Sequence, residues 1–385
     1  MSRKSALDDL LIADFGRVLA GPYATMLLAD LGADVVKIER AGVGDDTRQW
    51  GPPWVGDEST YFQSVNRNKR SVAWDLRDPA DLDQARELVA RADVVVENFL
   101  PGRMDRLGLG YDAMREINPD VVYCSVTGFG GENNLPGYDL LVQAVGGLMS
   151  ITGPEPGVPT KVGVAVVDII TGLHAAVGIL AALRHRDRSG EGQRVEVNLL
   201  SSLLSALANQ TSGYVGAGVV PQAMGNQHPS IAPYEVFQTG DRPLVLAVGN
   251  NRQFGSLVQV LGVPELADDE RYATNTQRVA NREQLVRDIT AALCAGSADE
   301  WFEKLTAHAV PCGPLNDIAD AVALAERLGL TPVVEIDDPR RDGPVRQVAN
   351  PIRLSATPPS YRSAPPWLGE DAPAVSTRLS PAAEK

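Results

Sequence analysis

The stretch LIADFGRVLAGPYATMLLADLGADVVKI, Leu11 to Ile38, decides the fold. It opens on a short apolar run (LIADF), turns through Gly16 and Gly21, takes up a helical pattern from Tyr23 to Leu31, and closes on a second apolar run, DVVKI. The alternation continues with a helical pattern over Pro79 to Arg91, strands at Asp93 to Val96 (DVVV) and Val121 to Val126 (VVYCSV), and RVEVNLL at Arg194 to Leu200. Continuous Val/Ile runs between amphipathic helices mark a parallel sheet covered on both faces. The fold class is therefore α/β, with a doubly wound domain first. Such sheets bind ligands at the carboxyl ends of their strands. That directs attention to Gly16–Pro22, Glu39–Arg48, Glu97–Arg106 and Thr127–Tyr138.

Outward from this core, 385 residues exceed the roughly 100 to 200 of one domain. The boundaries read as 1–211 for the first part of a large domain, 212–330 for a linker and smaller α+β domain, and 331–385 for a return to the large domain. The last ten residues read as a poorly ordered tail. A hydrophobic content of 44% with 22% charged residues is that of a folded globular chain. The formal charge of −14 argues against nucleic acid and anionic membrane as partners. Cys124, Cys294 and Cys312 lie far apart, without metal or disulfide spacing, which fits a reducing, cytoplasmic setting. Val164 to Leu183 is the most apolar stretch. Asp168 leaves too few residues after it for a bilayer span, so it reads as a buried helix.

The first turn, DFGRVLAGP, is neither GxGxxG nor a P-loop, which disfavours a nicotinamide dehydrogenase or an NTPase. Arg40, Arg67, Lys69, Arg70, Arg77, Arg103 and Arg106 fall in or near the ligand-edge loops and could neutralise a polyanion, or be solvated surface charges. Asp168 lies where VGVAVV gives way to the helical run IITGLHAAVGILAAL. It reads as a helix cap or as a partly desolvated nucleophile, and the residues alone leave both open. His174, His185, His228 and His308 show no metal-ligand spacing, so no metal is expected. His174 reads as a core group, and His228, in the loop MGNQHPSIAPY, as the better functional candidate. No GxSxG elbow is present.

Six segments in order carry a resemblance: AGPYATMLLADLGADVVKIER (Ala20–Arg40), NKRSVAWDL (Asn68–Leu76), ADVVVENFLPGRMDRLGLG (Ala92–Gly110), GYDLLVQAVGGLMSITG (Gly137–Gly153), GVAVVDIITGLHAA (Gly163–Ala176) and GNQHPSIAPYEVF (Gly225–Phe237). Together they resemble the class III coenzyme A transferases, the family of formyl-CoA transferase and carnitine CoA-transferase, over nearly the whole chain. The resemblance implies a Rossmann-like large domain, a small middle domain and an interlocked homodimer. It places the catalytic carboxylate on Asp168. The substrates it implies are acyl-CoA and a carboxylic acid, with no tightly bound cofactor. It puts coenzyme A contacts on Val18, Leu19, Ala20, Arg40, Trp74 to Arg77, Asn98, Phe99, Leu100, Arg106 and Tyr138, and a substrate loop on Gly225, Asn226 and His228.

Two departures narrow the branch. Formyl-CoA transferase carries successive glycines where this chain has Met224-Gly225-Asn226-Gln227-His228-Pro229, which argues against formate or oxalate. The related α-methylacyl-CoA racemases place a His where this chain has Tyr138, and a tyrosine is a poor second proton carrier near neutral pH. GPEPGVPTKVGVAVVD and the Gly225 loop look closest to the branch using succinyl-CoA and dicarboxylic acids. A racemase-like isomerase and a catalytically silent CoA-binding protein are the alternatives.

Overall fold

The computed structural model describes residues 5–379, which form two compact units. Residues up to Leu148, Lys161–Val220 and the stretch from Leu330 on make the first, and Met149–Thr160 with Pro221–Gly329 make the second. The excursion at Met149–Thr160 has no counterpart in the sequence reading.

In the first unit, β1 (Leu11–Asp14) leads into α1 (Ala20–Asp30) and β2 (Asp34–Arg40). Then come β3 (Lys69–Trp74), α2 (Pro79–Arg91), β4 (Val94–Glu97) and β5 (Val122–Thr127). They are followed by α3 (Asp139–Val145), α4 (Val166–Ser189) and β6 (Arg194–Asn198). The sheet order is β3-β2-β1-β4-β5-β6, with every neighbouring pair parallel. Chain direction reverses its progress across the sheet between β1 and β4. A crevice opens at such a switch point, outside the carboxyl ends of the strands.

Alternate residues of each strand feed two cores. Ile12, Val35, Val94, Val122 and Cys124 pack with Ala24 and Leu28 of α1 and with Ala175, Ile179 and Leu183 of α4. On the other face Ala13, Val36, Val72, Val95 and Tyr123 pack with Ala85, Leu88 and Val89 of α2. Each Val, Leu or Ile among them, fully buried, contributes about 1.5–3 kcal/mol.

α1 begins three residues before its periodic pattern, because Pro22 sits in the first turn, where a missing N–H costs nothing. α4 runs to Ser189 and is long and apolar enough by length and composition to span a bilayer, so the shortness argued from Asp168 does not hold. One face of α4 lies in the core, while Leu173, Val177 and Leu180 are exposed. At Gly172 an added Cβ would stand 2.6 Å from the Ala20 carbonyl oxygen, so glycine lets the start of α4 close onto the start of α1.

The second unit carries an antiparallel sheet of Tyr234–Phe237, Leu244–Ala247 and Cys312–Pro314, packed with helices Asn251–Val260, Arg282–Leu293 and Ala298–Ala307. The return segment is tied to the first unit through Asp30. That carboxylate receives Arg67 at 2.7 Å, Asn68 at 2.8 Å and Asn350 at 3.1 Å. Of the expected tail, 376–379 complete the helix Ala372–Leu379, and the rest lies outside the described residues.

Candidate active site

Two cavities lie at the carboxyl edge of the parallel sheet. One, of about 530 Å³, is lined by Arg17, Arg40, Trp74, Arg77, Phe99 and Arg103. The other, of about 320 Å³, is lined by Val18, Leu19, Ala20, Asn98, Leu100, Tyr138 and Asp168. Arg17, Phe99 and Arg103 border both, so the two form one groove that is cationic at one end and holds a carboxylate at the other.

The groove gathers most of the residues singled out from sequence and leaves others out. Arg106 lines neither cavity, whereas Arg103, three residues earlier, lines both and stacks over the Phe99 ring at 5.3 Å. Arg67 and Lys69 are not available to a polyanion. Both are buried in internal pairs, with Asp30 at 2.7 Å and Asp14 at 3.0 Å. Arg70 pairs with Asp34. Arg77 is held by Asp75 through two hydrogen bonds of 2.9 and 2.8 Å, and holds that carboxyl down at about 2. Arg40 is exposed, 3.7 Å from Asp46. The Asn98 side chain accepts from the Arg17 amide at 2.9 Å and donates to the Arg17 carbonyl at 2.7 Å, so its amide is engaged in shaping the groove wall.

Asp168 is the third residue of α4 and is partly buried. It is not the cap. Asp139, at the start of α3, takes that role, its Oδ1 accepting from the amides of Val167 at 2.8 Å and Asp168 at 3.2 Å. Its Oδ2 accepts from Gln143 at 2.6 Å. Among the described residues no donor meets the Asp168 carboxylate itself. Burial, and then the like charge of Asp139, push its carboxyl up to about 7. An anion kept short of donors in this way is more nucleophilic than a solvated one. In the same cavity, Leu19 stands at the N-cap of α1 without a side-chain cap, and among the described residues no acceptor takes the amides of Leu19 and Ala20. Leu19 and Ala20 both line the cavity that holds Asp168.

Sequence reasoning passed over Arg17, Tyr61 and the capping role of Asp139. Tyr61 packs against the buried cluster of Leu19, Met26 and Val65, as do Val18, Ala165 and Ile169, and its hydroxyl is pushed up to about 12 by burial first and then by Asp168. No motif marks it. His174 bonds Ser202 at 3.0 Å. In the second unit, Gly225 takes φ 60° and Asn226 is exposed. His228 lies 5.2 Å from the Tyr234 ring, and its Nδ1 accepts from the Ser230 amide at 3.1 Å. Arg282 ties that loop down through the His228 and Ile231 carbonyls, at 2.6 and 2.9 Å.

Residues 7–372 match the family model described as CoA-transferase family III. The chain is 42% identical over 367 residues to a succinyl-CoA:glutarate CoA-transferase of Mus musculus, covering 94% of this chain and 84% of that protein. It is 43% identical over 380 residues to a succinyl-CoA:mesaconate CoA-transferase of Haloarcula hispanica, covering 95% and 94%. The crystal structure of a CAIB/BAIF family protein from Brucella suis superposes with a TM-score of 0.87 at 40% identity, covering 98% of this chain and all of that one (100%).

Proposed function

The chain belongs to CoA-transferase family III and is an acyl-CoA:carboxylate CoA-transferase, and from that premise we propose that Asp168 carries coenzyme A from succinyl-CoA to a dicarboxylic acid. The observation that carries the reading is the Asp168 carboxylate, starved of donors, at the end of an arginine-lined groove and in one cavity with Leu19 and Ala20 of the α1 start.

In this reading the Asp168 carboxylate attacks the thioester carbonyl, forming a mixed anhydride and expelling CoA thiolate. The thiolate then attacks the aspartyl carbonyl, the succinate carboxylate leaves, and an aspartyl-CoA thioester is left. The acceptor carboxylate attacks that thioester, again expelling thiolate, which takes the acceptor's acyl carbon and frees Asp168. No net proton is gained or lost. An aspartate suits the task because anhydride exchange between carboxylates needs a nucleophile of similar leaving ability. The amides of Leu19 and Ala20 would steady the tetrahedral oxyanions. Arg40, Arg77 and Arg103 would meet the phosphates, with Trp74 and Phe99 offering apolar surface to the adenine or the pantetheine arm.

Trapping with hydroxylamine after incubation with succinyl-CoA tests the reading. A hydroxamate on Asp168 by mass spectrometry is expected, and its absence together with normal turnover would refute it. Glutarate-sized dicarboxylates should outcompete formate as acceptors. Arg40→Ala and Arg103→Ala are each expected to raise the CoA dissociation constant about tenfold, the loss of one charge-assisted phosphate contact. Isothermal titration checks this.

The same proposal includes a homodimer, interlocked as in the family. It is supported by the exposed apolar side chains Leu173, Val177 and Leu180 on α4 and Val215 further on. Sedimentation velocity should give a dimer at nanomolar concentrations. A reducing, cytoplasmic setting completes the proposal, in keeping with three cysteines that are all free thiols.

A further inference from the structure

The turn between β1 and α1 contributes Val18, Leu19 and Ala20 to the Asp168 cavity, yet it does not hold its own shape. Five consecutive backbone groups end on side chains from elsewhere. The Gly16 amide donates to Asp14 Oδ1 at 2.8 Å, and the Gly16 carbonyl accepts from Lys37 Nζ at 2.7 Å. The Arg17 amide and carbonyl are both taken by Asn98. The Val18 amide donates to Asp45 at 3.2 and 3.3 Å. Val18 needs this hold because it sits at φ 66°, a left-handed conformation that a β-branched residue resists. The next three amides, Leu19, Ala20 and Gly21, find no acceptor among the described residues, and Leu19 and Ala20 belong to the cavity lining.

Lys37 and Asp45 are wholly buried and bonded to each other at 2.8 Å. Lys37 enters from the middle of β2, in register with Asp14. Asp45 is fixed further by the Thr47 amide at 3.0 Å and the Thr47 hydroxyl at 2.8 Å, and its own amide donates to Glu39. An apolar pair of similar volume could fill this space without the cost of desolvating two charges. What an apolar pair could not do is grip the Gly16 carbonyl from one side and the Val18 amide from the other.

We propose that Lys37 and Asp45 are a positioning pair for acyl transfer, holding Val18 in its left-handed state so that the Leu19 and Ala20 amides point at the oxygen of the tetrahedral intermediate on Asp168. The proposal rests on Asp168 as nucleophile. Lys37 and Asp45 also border the coenzyme A end of the groove, but their side chains are wholly buried in the pair. Without the pair, Val18 relaxes to negative φ and the two following amides turn out of the cavity.

The test compares the full-length enzyme with Asp45→Asn, Lys37→Met and Thr47→Val, and with Asp45→Asn combined with Val18→Gly. Asp45→Asn is expected to lower kcat by about 30–100-fold, the effect of a misplaced oxyanion donor, with CoA dissociation constants within about threefold of wild type. Thr47→Val, which removes one of the hydrogen bonds fixing Asp45, should lower kcat by about three- to fivefold. Adding Val18→Gly to Asp45→Asn should restore part of kcat, since glycine takes positive φ without penalty. Unchanged kcat in Asp45→Asn overturns the proposal. So does a parallel fall of kcat and CoA affinity that Val18→Gly does not relieve, the mark of a merely structural pair. Should both charge variants fail to fold, Thr47→Val carries the test, and unchanged turnover there overturns it. Failure of the Asp168 reading is separate. It shows as no hydroxamate in the wild-type enzyme, whereas failure of the positioning proposal shows as wild-type trapping rates in the variants.

Discussion

Asp168→Ala is expected to lower CoA transfer at least about a thousandfold, which is about 4 kcal/mol of transition-state stabilisation, while coenzyme A binds as tightly as before. The two outcomes separate because the groove separates them. The cationic end, with Arg40, Trp74, Arg77 and Arg103, is built from the last residues of β2 and β3 and the loops after β3 and β4, and Asp168 lies at the other end on α4. Steady-state turnover with succinyl-CoA and CoA titration on the same preparation check both. Turnover within tenfold of wild type would remove Asp168 from the chemistry.

The isosteric variant Asp168→Asn carries a second expectation, opposite in sign. With its folded pKa raised to about 7, Asp168 keeps a proton between about pH 4 and 7 that the unfolded chain has shed. Folding stability therefore falls as pH rises through that window, and above pH 7 the ionised carboxylate is a net cost. Discounted for its partial exposure, that cost is about 1–2 kcal/mol. Asp168→Asn should thus melt about 2–5 °C higher than wild type at pH 8 and show little difference at pH 4. A more stable but inactive variant is the signature of a group whose strain serves the reaction. Differential scanning calorimetry at the two pH values reads it directly.

How far the sequence led depended on whether a residue's partner was near in the chain. The strands with continuous Val/Ile runs were legible, and with them the parallel sheet and its ligand edge. β3 was not seen as a strand, because Lys69, Arg70 and Ser71 break the apolar run. Their partners Asp14, Asp34 and Glu39 come from β1 and β2, which only the folded sheet brings alongside. The same blindness assigned Arg67 and Lys69 to a basic patch, since charge is visible in a sequence and pairing is not. Asp168 was found, but its supposed capping role belongs to Asp139, whose carboxylate reaches the amides of residues 28 and 29 positions away. Tyr61, held against Leu19, Met26 and Val65 by tertiary packing, left no pattern to read.

The rate of transfer should rise with pH and level off, with its midpoint near 7, because only the ionised Asp168 is nucleophilic and its carboxyl stands at about 7. At pH 5.5 the rate constant for reaction with succinyl-CoA should lie about thirtyfold below the plateau, as expected for a single essential base titrating near 7. Asp139→Asn tests the second cause of that position. Its carboxamide oxygen still accepts the amides of Val167 and Asp168, so α4 starts where it did, while the like charge is gone. The midpoint should fall below 7, yet stay above the ordinary aspartate value, because burial is the larger cause and is untouched. The substitution has a cost elsewhere. Gln143 Nε2 now loses its carboxylate acceptor and cannot simply flip, since Gln143 Oε1 is held by the Val162 amide at 2.9 Å. About 1 kcal/mol of stability should be lost for that hydrogen bond. Asp139→Leu separates the two roles: it removes both charge and cap, and should lower the plateau itself as the first turn of α4 loosens. A profile that is flat from pH 5.5 to 8 in the wild type, or a midpoint unmoved by Asp139→Asn, would show that the carboxylate doing the chemistry is not the one beside Asp139.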